Sequence, residues 1–275
     1  MAFNKNELIL DRVRSATVHV PSTNELLFRL TSIEEPSLTT TAESEEVTDA
    51  LGATIATLYR AKKGTFSGTN SLINLGLYAE QQGTKKIVGS ADGKIEIPTY
   101  EVIEIPANST SVALSQVAKD PTKIKYIYSI VDGEIGTAYS AGTEVSATAF
   151  TVANSTSTGE NDTSITTTTI NLPTGLTGKI YVEYSYEVEN AEKVRVTASE
   201  FPKQVSVIIY AYFKDKCDEN LVYSGIIVIP KAKLNPESVE LALTATGKHP
   251  FEFTMAKDYC SEDGHDELFS IIVAE

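Results

Sequence analysis

The segment Lys179–Val188 alternates without a break. Ile180, Val182, Tyr184, Tyr186 and Val188 share one face, and Lys179, Tyr181, Glu183, Ser185 and Glu187 share the other. Successive side chains of a strand point to opposite faces, so a period of two places one face against a core and leaves the other wet. That is the mark of antiparallel architecture. Val205–Phe213 is apolar on both faces and is expected centrally in a sheet or under the helix. Further strands are expected at Glu25–Ile33, Thr54–Phe66, Tyr223–Ile229, Ser238–Thr244, Phe251–Met255 and Leu268–Val273, punctuated by Pro230, Pro236 and Pro250. Asp-Gly pairs at Asp132-Gly133 and Asp92-Gly93 predict tight hairpins, the first between Ile124–Val131 and Glu134–Tyr139, the second within Ile87–Pro98. In the Thr/Ser-rich stretch Ser146–Pro173 the preferred reading is two strands joined by a polar loop near Asn154–Asp162.

One helix is expected, Asn70–Gly83. Asn70 or Ser71 can cap it, Leu72, Leu75 and Ala79 recur at helical spacing, Ile73 and Leu77 widen the apolar face, and Gly83 ends it. Between the first strands, Glu34–Asp49 is acidic, polar and interrupted by Pro36, and reads as a long loop or arm. The 275 residues, 41% of them hydrophobic, suffice for one large or two small domains. The fold class is therefore mainly β: an antiparallel sandwich or barrel with one helix. Residues 110–186 read as an inserted β lobe, with 1–109 and 187–275 closing the outer barrel around it.

A net charge of −14 argues against a free-standing nucleic-acid binder and against attraction to an anionic membrane. No apolar run reaches the roughly 20 residues of a transmembrane helix. The N-terminal segment lacks a signal-peptide pattern, so synthesis in a cytoplasm is expected. Cys217 and Cys260 read as free thiols. His19, His249 and His265 form no ligand spacing. The cluster Asp258, Cys260, Glu262, Asp263, His265, Asp266 and Glu267 reads as a solvated acidic turn rather than a metal site. Phosphate-binding loops and nucleophile elbows are absent from the sequence, so no enzyme, cofactor or metal is expected.

Three segments carry a resemblance: the acidic stretch Ile33–Gly52, the strand-then-helix unit Gly64–Gly83, and the closing run Lys248–Glu275. Together they resemble bacteriophage major tail tube proteins. The resemblance implies subunits that join edge to edge into rings, hexameric in the family's manner, and stack into a tube that conducts DNA at ejection without binding it specifically. It also implies self-association, tape-measure, baseplate or tail-tip and terminator proteins as partners, a sheath where the tail is contractile, and residence in the virion tail. Under it, Glu43, Glu45, Glu46 and Asp49 are candidates for inter-ring contact or the lumen edge. The middle third has no counterpart in minimal tube subunits, and either an outward lobe or part of the wall fits it. The alternatives are another virion component, such as a decoration or terminator protein, and a carbohydrate-binding adhesin-like sandwich.

Overall fold

The computed structural model describes residues 8–158, 164–216, 220–237, 239–241, 247–257 and 267–274. In chain order the strands begin with Leu8–His19 (β1), Leu26–Leu30 (β2), Ile33–Thr48 (β3) and Thr54–Asn70 (β4), followed by the helix Leu75–Gln81 (α1). Nine strands follow: Ile87–Val88 (β5), Ile95–Glu104 (β6), Ser111–Ala113 (β7), Tyr126–Val131 (β8), Glu134–Ala141 (β9), Ala149–Thr158 (β10), Ser164–Asn171 (β11), Lys179–Val188 (β12) and Glu192–Lys193 (β13). Gln204–Asp215 (β14), Val222–Leu234 (β15), His249–Met255 (β16) and Ser270–Ala274 (β17) complete the described strands. The fold is mainly β with antiparallel sheets and one α-helix, as the alternation implies.

Two compact units divide the chain, one from residues 1–86 and 194–275 and the other from 87–193. The second starts earlier than residue 110 because β6 pairs with β12 along its whole length, from Lys179↔Glu104 to Val188↔Ile95.

In the first unit one sheet runs β2-β1-β14-β15-β16-β4-β3, curled into half a barrel. β14 lies inside it, flanked by β1 and β15, and buries Val205, Val207, Ile209 and Ala211 on its inner face. Phe66 of β4 packs on Phe251 and Phe253 of β16, with ring centroids 5.5 and 6.0 Å apart. Pro230 does not end β15. It sits at a bulge, where a missing N–H breaks no ladder, and the strand continues to Leu234. Around it the neighbour of β15 changes, from β17 at Ser224–Val228 to β16 at Ala232–Leu234.

The helix is shorter than the spacing predicts. Asn74, not Asn70 or Ser71, caps it: its Oδ1 accepts from Leu77 N at 3.0 Å, while its Nδ2 donates to the Arg29 carbonyl of β2 at 3.0 Å. Leu72 and Ile73 are therefore at least half exposed and Leu75 is exposed at 38%, while the buried positions are Leu77, Ala79 and Gln81. Gly76 lets the helix approach β2, where a Cβ would meet Phe28 at 2.7 Å. At the far end Gln81 Nε2 donates to the Pro250 carbonyl of β16 at 2.9 Å. The helix thus ties β2 to β16 across the curl of the sheet. Gly83, at φ +72, ends it as expected.

The second unit packs β6-β12-β8-β9 against β10-β11-β7, the two halves joined by a short parallel contact between β9 and β10. Ile127, Phe150, Ile170, Ile180 and Val182 fill the space between them. Asp132-Gly133 forms the predicted hairpin, both residues left-handed at φ 51 and 87. Asp92-Gly93 does not. Ser90 and Gly93 close a turn, but β5 pairs with β13 and β6 with β12, so the turn redirects the chain instead of joining partners.

Candidate assembly surface

Glu34–Asp49 is not a loop. It is almost entirely β3, paired with β4 from Ile33↔Asn70 to Thr48↔Thr54. Pro36 is absorbed by a bulge in which Glu35 takes φ 49, so the ladder resumes at Ser37↔Ser67. Asp49 shapes the turn. Its Oδ1 accepts from Leu51 N at 2.9 Å and Ala53 N at 2.8 Å, and Gly52 takes the left-handed conformation at φ 82.

The inner part of this hairpin belongs to the sheet, because β16 pairs with β4 from Asn70 to Thr65. Beyond Thr65 the only partner of β4 among the described residues is β3. Ten or so residues of each strand then run on as a two-stranded ribbon, roughly 35 Å at the usual strand rise. Ser44 faces Tyr59 and Glu46 faces Thr57, while Glu45 faces Leu58 and Val47 faces Ala56. Apolar side chains thus occupy both faces. Leu51 is 94% exposed, Tyr59 75% and Ile55 68%, and Leu58 and Val47 are exposed as well. A lone hairpin is at best marginal in water, and a ribbon apolar on both faces with two free edges is a template for another chain.

The structure places the four acidic candidates on this ribbon but not on one face. Glu45 and Glu46 alternate. Glu43 meets Lys63 Nζ at 2.5 Å, and that hydrogen bond, reinforced by the charge of Lys63, holds its carboxyl below the ordinary carboxylate range. Glu46 accepts from Thr54 Oγ1 at 3.3 Å. Sequence reasoning missed the apolar partners on β4, because Thr54–Phe66 reads only as a strand until its lack of a second neighbour is known.

A second exposed apolar region lies in the same unit, where β1, β14, β15 and β17 run on together. Ile9, Leu10, Val222, Ile271 and Ile272 are exposed there. Among the described residues no group of three or more His, Cys, Asp or Glu is placed to hold a metal, and no helix is long and apolar enough to cross a membrane. Cys217 and most of the acidic cluster, residues 258–266 with Cys260, lie outside the described residues.

Against protein-family models, the YomU/Tube protein family matches residues 8–264. No curated protein matches the chain.

Proposed function

This chain belongs to the YomU/Tube protein family, and from that membership we propose that it is the structural subunit of a phage tail tube. Copies join through free sheet edges into rings, six-membered as the resemblance implies, and the rings stack into a conduit for DNA. One observation carries this reading: the β3–β4 ribbon leaves its sheet with no strand among the described residues on either edge and with apolar side chains on both faces. Seated on a neighbouring copy, it buries Leu51, Ile55, Leu58 and Tyr59 and extends that copy's sheet. Contacts of this head-to-tail kind propagate, which suits a tube. Glu43, Glu45, Glu46 and Asp49 travel with the ribbon to the inter-ring contact or lumen edge. A wall with the chain's excess of carboxylates repels phosphate over only about 8 Å at physiological salt, enough to prevent sticking without driving transport. Tape-measure, tail-tip and terminator proteins are the partners at the tube's ends, and the tail of the virion is its location.

Negative-stain microscopy of the purified chain tests the reading. Tubes or stacked rings are expected from the wild type. A variant with residues 44–59 replaced by Asn-Gly is expected to stay monomeric with an unchanged unfolding transition, since the ribbon lies beyond β16. Tubes formed equally well by the shortened variant would refute the role of the ribbon.

A further inference from the structure

Four tyrosines line the outward face of the β6–β12–β8 sheet in the second unit. Tyr100 of β6 lies 5.4 Å from Tyr181 of β12, the two rings only 26° from parallel. Tyr181 lies 6.2 Å from Tyr128 of β8, and Tyr128 lies 6.5 Å from Tyr126. The core residues Ile180, Val182 and Ile127 point the other way, so the row is not part of the core. Tyr100 and Tyr126 are 63% and 53% exposed.

Polar groups stand among the rings. Tyr181 Oη donates to Glu183 Oε1 at 2.6 Å. Tyr100 and Glu183 also form the rim of an open cleft of about 570 Å³, lined further by Thr99, Asp120, Lys123 and Ser185. That size falls in the range of small-ligand sites, roughly 300–1,000 Å³.

The combination selects among ligands. Tyrosines are enriched in protein interfaces as well, but the centre of such an interface is depleted of charge, whereas Glu183 stands within this row. An anionic polymer or lipid surface would meet the three carboxylates of Glu96, Asp120 and Glu183 against the one lysine, Lys123, that lines the cleft. A sugar ring suits both features: its C–H face carries the slight positive charge that the negative face of an aromatic ring attracts, and its hydroxyls donate to carboxylates. Tyrosines also order at low entropic cost, having two side-chain torsions.

We propose that this face binds a neutral oligosaccharide, stacking its sugars on Tyr100, Tyr181, Tyr128 and Tyr126 and directing hydroxyls to Glu183 at the mouth of the cleft. The site is complete within the second unit and does not depend on tube assembly.

Calorimetric titration of the full chain with chitohexaose, maltohexaose, cellohexaose and the anionic hexagalacturonate tests it. Saturable binding of at least one neutral hexasaccharide, and none of hexagalacturonate, is expected. The double variant Y100A/Y126A removes two exposed rings and is expected to weaken binding about a hundredfold, about tenfold per ring. Tyr181→Phe, which keeps the stacking surface, is expected to bind within a few-fold of wild type. Four results would overturn the proposal: no binding of any neutral probe, preference for the anionic one, unchanged affinity in Y100A/Y126A, or a changed sedimentation coefficient in that variant, which would make the face a self-association surface. The unfolding midpoint and tube formation of Y100A/Y126A, both expected to be normal, separate these results from misfolding and from failure of the tube reading.

Discussion

His249 is fully buried, and among the described residues only one of its ring nitrogens has a partner. Gln81 Nε2 is committed to the Pro250 carbonyl, so Gln81 Oε1 faces the imidazole and accepts from His249 Nε2 at 2.6 Å. The proton of the neutral ring therefore sits on Nε2. A second proton would have to go on Nδ1, which has no acceptor. Burial accordingly pushes the pKa of His249 below its ordinary value. The unfolded chain binds this proton below about pH 6.5 and the folded chain resists it, so stability is complete above that pH and falls as the medium acidifies. The denaturant midpoint of the first unit is expected to drop between pH 7.5 and 5, and His249→Gln to flatten that part of the profile. An identical slope in the variant would remove His249 as the cause.

At the scale of elements, the helix makes a sharp distinction between neighbours. Leu77 is buried against Phe28 and the sheet core, whereas Leu75 is 38% exposed. Leu77→Ala is expected to cost about 2–5 kcal/mol in equilibrium unfolding, as large-to-small core changes do, and Leu75→Ala less than about 1 kcal/mol. Equal losses would mean that the helix is seated differently. Helical spacing alone could not rank the two, because the cap at Asn74 decides which turn exists, and Asn74 earns that place by bonding to the Arg29 carbonyl, a contact invisible in local sequence. The strands were legible where the ladder is regular: β12 emerged with both its ends, and the doubly apolar β14 with its central position. They were illegible where bulges break the period of two. β1 carries shifts between Leu10 and Arg12 and between Val13 and Ser15, so its alternation changes phase twice. β3 hides behind Pro36 and the bulge that accommodates it. The candidate surface was half legible for the same reason. Its acidic residues stood out by composition, while the exposure of Ile55, Leu58 and Tyr59 follows from which strands stop short beside them.

At the scale of the molecule, the second unit enters and leaves through paired strands. Ile87 opposes Lys193, Val88 opposes Glu192, and Gly89 N donates to the Ala191 carbonyl at 2.8 Å. With its own core and its ends fastened together, residues 87–193 are expected to fold in isolation, giving a dispersed amide spectrum and one cooperative unfolding transition. A collapsed spectrum would show that the unit needs the rest of the chain.

The β5–β13 pairing also bears on the order of folding. β1 must find β14 across the whole insertion, with Leu8 opposite Asp215, and closing so long a disordered loop is slow. Once the insertion has folded, its fastened ends take residues 87–193 out of that loop and leave residues 20–86 and 194–203 to be closed. During synthesis the insertion is complete before β14 is made. A destabilising change deep in the insertion, such as Ile180→Ala, would then slow formation of the first unit while leaving the strength of the finished sheet untouched.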